Sequence, residues 1–166
     1  MIKVLFVCHG NICRSTMAEY VMKHIVAQAG LSDLYYIDSA ATSREEIGNP
    51  VHPGTRRKLA KEGIPCGNHR ARQLTRNEYE KFDYIIGMDS WNIRNILRII
   101  GSDTDSKVYK LLDFSDRAGE DIADPWYTGD FDATYRDVLE GCQGLFTIST
   151  TARKCEGCRL RTIFRR

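Results

Sequence analysis

Residues 4–8, VLFVC, are an unbroken apolar run, and the polar stretch HGNICRS behind them opens directly into a helical pattern. A short apolar run of this kind reads as a strand buried on both faces. Met17, Tyr20, Val21, His24, Ile25 and Gln28 then recur at helical spacing, with Gly30 just beyond the end. Thr16 and Glu19 have capping-box spacing near the helix start. A strand that passes at once into a helix must reach the next parallel strand by a crossover.

The rest of the chain repeats that alternation. LYYIDSA (34–40) reads as a second strand, and residues 55–62 as a short helix closed by Gly63 and Pro65. Thr75 with Glu78 opens an expected helix over TRNEYEKF, followed by the strand DYIIGMD. Ser90 is expected to cap WNIRNILRII, which stops at Gly101, and KVYKLLDF is the fourth strand. A last helix carries Tyr135, Val138, Leu139 and Cys142 on one face. The expected fold is α/β, a single doubly wound domain with a central four-stranded parallel sheet in flavodoxin-like order and helices on both faces. After Gly141 the period fades among glycines and β-branched residues, so residues 1–152 are expected as the domain and 153–166 as a basic, loose tail.

The 166 residues, 42% of them hydrophobic, suit one domain with one core. No stretch approaches the roughly 18 apolar residues of a membrane span, and the start lacks a small-residue cleavage site, so a cytoplasmic protein is expected. The formal charge of +2 conceals an asymmetry: the tail from Arg153 carries +5, leaving −3 for residues 1–152. A nucleic-acid binder places its basic face on the folded domain, so neither nucleic acid nor membrane is an expected partner. Six cysteines spread over buried-looking positions read as reduced thiols rather than a disulfide framework. KCEGC (154–158) has metal-ligand spacing without a second pair, and a tetrahedral site needs four ligands, so no metal is expected.

Cysteine, any five residues, arginine occurs three times, as Cys8–Arg14, Cys66–Arg72 and Cys155–Arg161. Only the first lies at the carboxyl end of a strand, where open parallel sheets bind ligands. Gly10 and Asn11 both tolerate positive φ, so the backbone there can curl and turn N–H groups inward. Arg14 begins a helix whose free N–H groups and dipole attract an anion. Five intervening residues are enough to ring one tetrahedral anion. Helix N-termini and nearby cations bring a thiol pKa down to roughly 4–7, and a thiolate beside a phosphate cradle is a nucleophile for phosphoryl transfer.

VCHGNICRS resembles the signature of the low-molecular-weight protein tyrosine phosphatases. The likeness continues in DSAATS (38–43), GNP (48–50), NHRARQL (68–74), GMD (87–89) and DPWYTGDF (124–131), over roughly residues 2–146. The resemblance implies hydrolysis of phosphotyrosine proteins or small aryl phosphates without a cofactor or metal, with phosphate, sulfate or vanadate as competing anions. Cys8 would be the nucleophile that forms a phosphocysteine, and Arg14 the fork on two phosphoryl oxygens. Backbone N–H groups of His9, Gly10, Asn11, Ile12, Cys13 and Arg14 would bind the other oxygens. Ser15 would donate its hydroxyl to the Cys8 sulfur, and Asn11 with His69 would hold the loop's conformation. Asp124, restrained by Pro125 and expected to be shielded by Trp126 and Tyr127, would be general acid and then base. Those two aromatics would also wall a slot for the substrate ring, one of them as ordinary core. Ile12 stands where the similar protein-arginine phosphatases carry threonine, and its aliphatic side chain resembles the tyrosine-specific branch. Asp89 is expected as a strand-end or capping residue.

The chain also departs from the pattern. His9 replaces an apolar or small residue, Thr16 a proline common in bacterial relatives, and Glu45 an aromatic that some relatives hold over the ring. A carboxylate at 45 is expected to repel acidic sequence flanking a phosphotyrosine. Cys13 resembles a protective partner of Cys8, implying peroxide inactivation reversible by thiols, which a Cys13→Ser variant should fail to recover from. Two alternatives stay open: a thiol-dependent arsenate reductase on the same scaffold, relayed through Cys66 or Cys142, and a non-catalytic phosphotyrosine- or anion-binding module. A monomer is expected.

Overall fold

The computed structural model describes the backbone of residues 1–163 and the side chains of residues 1–153. Four parallel strands, β1 (Ile2–Cys8), β2 (Tyr35–Ala41), β3 (Tyr84–Gly87) and β4 (Val108–Lys110), lie in the order β2-β1-β3-β4. The flavodoxin-like expectation holds. The order reverses at β1, so the chain leaving Cys8 emerges at the sheet's switch point, in the crevice where ligands bind.

β1 is buried on both faces for the reason its sequence suggests. Val4, Phe6 and Cys8 join one core with α1 (Arg14–Gln28), α2 (Pro53–Lys61) and α5 (Phe131–Ile163). Leu5 and Val7 face the opposite core, made with Phe82, Ile85 and the Ile96 and Ile100 of α3 (Ser90–Ile100). Truncating a side chain as large as the fully buried Phe6 would cost roughly 3–5 kcal/mol.

Several boundaries differ from expectation. No capping box forms at Thr16 and Glu19; α1 starts earlier, at Arg14, and the Thr16 hydroxyl donates to the Cys13 carbonyl at 2.9 Å. The box at Thr75 and Glu78 does form, but it closes only a single 3-10 turn over Arg76–Glu78. Asp89 rather than Ser90 caps α3, accepting from the Asn92 N–H at 2.7 Å. β4 stops at Lys110, and Leu111–Phe114 continue as a 3-10 turn. Pro53 takes the first position of α2, where its missing N–H costs nothing.

The largest correction concerns the C-terminal stretch. Regular structure was expected to fade after Gly141, yet α5 runs unbroken to Ile163. Gly141 and Gly144 do not break this helix; they let it approach the Leu111–Phe114 turn so closely that a Cβ at either position would collide with Leu111 or the Phe114 carbonyl. Thr147, Thr150 and Thr151 return their hydroxyls to carbonyls four residues back, which accommodates them in helix. Ser149 lies against the Tyr35 hydroxyl at 2.7 Å, tying α5 to the start of β2. Beyond Arg153, the loose basic tail, the KCEGC motif and the third cysteine–arginine match fall outside the side chains described.

Candidate active site

The segment from Cys8 to Arg14 curls between β1 and α1, and its carbonyls determine its shape. The carbonyls of Cys8, His9, Asn11, Ile12 and Cys13 are taken by Thr42 N–H, Ser43 N–H, the His69 ring, His52 N–H and Met17 N–H respectively, at 2.8–3.0 Å. In a trans peptide the N–H points opposite to the carbonyl. Carbonyls drawn away to these outside donors therefore turn the N–H groups of His9, Gly10, Ile12, Cys13 and Arg14 toward the loop's interior. Asn11 supplies the bend, at φ 58°, and its own N–H donates to Cys8 Sγ at 3.3 Å.

Asn11 is wholly buried and uses every polar atom of its side chain. Its amide nitrogen donates to Ser15 Oγ (2.9 Å) and Ser39 Oγ (2.8 Å), and its oxygen accepts from Arg72 N–H (3.1 Å). His69 Nε2 meets the Asn11 carbonyl at 2.9 Å, and because that oxygen only accepts, Nε2 carries the proton. Ser15 Oγ lies 3.1 Å from Cys8 Sγ. Since the hydroxyl already accepts from Asn11, its own proton is free to point at the sulfur. Ser15 and Asn11 thus meet at Cys8, with His69 behind Asn11, the positions that the resemblance implies.

Arg14 is 2% exposed, and its guanidinium is held from two sides. Nη1 donates to Asp89 Oδ2 (2.6 Å) and to the Ile122 carbonyl (2.9 Å), while Nη2 donates to Asp124 Oδ2 (2.7 Å). Burial works against this charge, but Cys8, Asp124 and Asp89 outweigh it and raise the Arg14 pKa above its usual range. Nε is buried without a partner among the described residues. Nη1 is thus fully spent on Asp89 and Ile122, while Nε keeps a proton without a partner and Nη2 has one beyond its bond to Asp124. The Nε–Nη2 edge, the edge that grips an oxyanion with two parallel bonds, still has donors to offer.

Asp124 caps the single-turn α4 (Pro125–Thr128), accepting from Trp126 N–H at 3.0 Å. Its side chain is 20% exposed. Trp126 and Tyr127 are 57% and 84% exposed, so neither is core, and in this structure they flank the acid rather than shield it. Both line a cleft of about 580 Å³ with Cys8, Ile12, Arg14 and Asp124. Glu45 stands at its rim, 3.0 Å from the His9 ring.

Cys13 also lines the cleft, and burial, with Cys8 and Asp124 adding to it, pushes its thiol up to about 12. It is therefore a neutral thiol at physiological pH. Cys66 and Cys142 lie away from the cleft lining; Cys142 is fully buried in α5, and burial pushes its thiol up as well. Cys66–Arg72, the second sequence match, opens no helix, and Arg72 is spent on Asp38 (2.8 Å) and Glu78 (2.7 Å).

Sequence reasoning missed several groups. Asp89, expected as a strand-end or capping residue, does cap α3, and its second oxygen also anchors Arg14; its place just past β3, beside β1, is the available signal. Trp91, Asn92, Asn95 and Glu46 also line the cleft, and nothing local in the sequence marks them.

A buried arginine, a cysteine in an amide cradle and an acid facing both define a cysteine-dependent phosphatase type of site. Comparison with known proteins agrees: residues 3–155 match the family described as low molecular weight phosphotyrosine protein phosphatase. The low molecular weight protein-tyrosine-phosphatase YfkJ of Bacillus subtilis is 42% identical over 146 residues, covering 87% of this chain and 94% of that one. Its crystal structure superposes with a TM-score of 0.88 at 39% identity, over 92% of this chain and 96% of the other. That of SP-PTP from Streptococcus pyogenes gives 0.78 at 45% identity, over 89% and 92%. The chain belongs to the low molecular weight phosphotyrosine protein phosphatase family.

Proposed function

We propose that the protein hydrolyses phosphotyrosine and other aryl phosphate monoesters through a phosphocysteine, without a metal. The observation that supports this reading is the guanidinium of Arg14: it lines one cleft with Cys8 and Asp124, holds Asp124 through Nη2 and keeps a buried Nε donor with no partner among the described residues.

A phosphoryl group entering the loop takes the Arg14 edge and the inward N–H groups, which neutralise the charge spread over its oxygens in the transition state. The Cys8 thiolate attacks phosphorus in line while Asp124 gives its proton to the departing phenolate oxygen. Asp124, now ionised, takes a proton from the water that attacks the phosphocysteine, releasing phosphate and restoring the thiolate. Ser15 stabilises the sulfur as it leaves. Ile12, Trp126 and Tyr127 contact the ring. Cys13 serves as the thiol that captures an oxidised Cys8 before it is over-oxidised.

In the same proposal the protein works as a cytoplasmic monomer with no nucleic-acid or membrane partner. Its four described cysteines, all free thiols, and the −3 charge of residues 1–152 support this. No described helix is long and apolar enough to cross a membrane. Of the arsenate relay, neither candidate resolving thiol lines the cleft.

The test is hydrolysis of 4-nitrophenyl phosphate at mildly acidic pH with excess EDTA. Turnover should vanish in Cys8→Ser, and in Asp124→Ala kcat/KM for phenyl phosphate, whose leaving group needs the proton, should fall by roughly 10²–10⁴. A folded wild-type protein without turnover refutes the reading.

A further inference from the structure

His52 is assigned no role by its sequence, yet it touches both halves of the site. Its backbone N–H donates to the Ile12 carbonyl at 2.8 Å, closing the phosphate loop from outside. Its ring caps α2, Nδ1 accepting from Gly54 N–H at 3.0 Å, so the neutral ring carries its proton on Nε2. The same ring stacks on Phe131 (centroids 5.2 Å apart, 15° between planes) and meets Trp126 edge-on (5.8 Å, 74°).

These contacts bracket the segment that carries Asp124. Phe131, the first residue of α5, also packs against the small cluster that Ile12 and Cys13 of the phosphate loop form with Ala71. Gly54 lets it sit there, because a Cβ at 54 would strike the Phe131 ring. At the other end, Trp126 offers its N–H to Asp124 Oδ1. The α4 turn between them is four residues long and cannot define its own position. A ring that fixes Trp126 and Phe131 together fixes the amide that aims the carboxylate.

We propose that His52 is a positioning residue for general-acid catalysis, bracing the 124–131 segment against the phosphate loop through Trp126 and Phe131 so that Asp124 faces the leaving oxygen. This rests on the phosphatase reading, with Asp124 as the acid. It concerns the aim of the acid and not the binding of phosphate, so its loss should be felt in proportion to how much the leaving group needs a proton. Phenolate, from an alcohol of pKa about 10, needs one; 4-nitrophenolate needs it far less.

The experiment compares kcat/KM for phenyl phosphate and 4-nitrophenyl phosphate in wild type, His52→Asn and His52→Leu, with vanadate inhibition measured on each. Asparagine keeps the helix cap and removes the ring. For His52→Asn the phenyl ester should fall about 10-fold and the nitrophenyl ester less than about 3-fold, with vanadate affinity held. His52→Leu should behave alike if it folds. Equal falls for both esters, or none, overturn the proposal, since a damaged loop or fold slows both together. A wild type inert toward both esters overturns the phosphatase reading first and this inference with it.

Discussion

The phosphate loop and the acid segment face one another across the cleft and are built on opposite principles. In the loop, Asn11, Arg14 and Ser15 are buried, five carbonyls are tied to outside donors, and one strained φ is held by five hydrogen bonds of Asn11. In the segment from Asp124 to Phe131, a single helical turn ends at Gly129 in the left-handed region and its two aromatics stand in solvent. The difference follows from what each must do. Stabilising spreading negative charge needs dipoles that are already oriented, because reorienting them during reaction cancels the gain. A proton donor needs only one correct aim, and product must leave past it. Rigidity is concentrated where charge is met, and the acid borrows its position from that rigid half through Arg14, His52 and Phe131.

The sharpest way to break this comparison is at Arg14, the group shared by both halves. Arg14→Lys keeps the charge but not the two-toothed edge, and kcat/KM for 4-nitrophenyl phosphate should fall by roughly 10²–10³. A fall under 10-fold would mean that charge alone suffices. Next comes Asn11→Ala, which takes one bond each from the buried Ser15 and Ser39 hydroxyls, leaves the Arg72 N–H without its acceptor and keeps a β-carbon at φ 58°. Chemical denaturation should show a loss of about 3 kcal/mol. Asn11→Gly separates the two causes: it relieves the strain, so it should recover about 1 kcal/mol and no more. On the other side, Trp126→Ala should move stability by no more than about 0.5 kcal/mol, as an exposed position does. It should raise KM for 4-nitrophenyl phosphate, whose leaving group needs the acid little, roughly 3–10-fold, the worth of one aromatic contact. Comparable stability losses at 11 and 126 would erase the distinction between the halves.

What could be read from the chain divides along the same line. The loop is local: strand, turn residues, arginine and helix are contiguous, so Cys8, Asn11 and Arg14 are legible from spacing and turn chemistry, and Ser15 through the resemblance. The sheet order was legible too, because alternating strands and helices leave few ways to cover a buried β1. The acid was legible only through resemblance, since one carboxylate among twenty-two has no local mark. Asp89, the Ile122 carbonyl, Trp91 and His52 reach the site through the fold, from positions 44 to 114 residues away from Cys8, and no periodicity announces such meetings. The long α5 was missed for a related reason. Gly141 and Gly144 look like breakers in isolation and are spacers only when Leu111 and Phe114 lie against them.

The smallest effect is expected at the rim, where charge is exposed. Glu45, its side chain 71% exposed, meets the His9 ring, and Glu46 beside it leans over Gly10 while accepting from Asn49 at 2.6 Å. This wall is acidic, so a phosphotyrosine peptide with basic flanks should have a higher kcat/KM than one with acidic flanks, by about 3-fold at low ionic strength. Near 1 M salt the Debye length shrinks to about 3 Å and the preference should vanish. Glu45→Lys should reverse the order without moving the rate on 4-nitrophenyl phosphate, which has no flanks to read. Equal rates for the two wild-type peptides at low salt would refute rim selection. The contrast in scale with Arg14 is the physical point: the aim of a buried charge is worth orders of magnitude even when the charge itself is kept, whereas an exposed charge that water and salt can reach is worth a small factor.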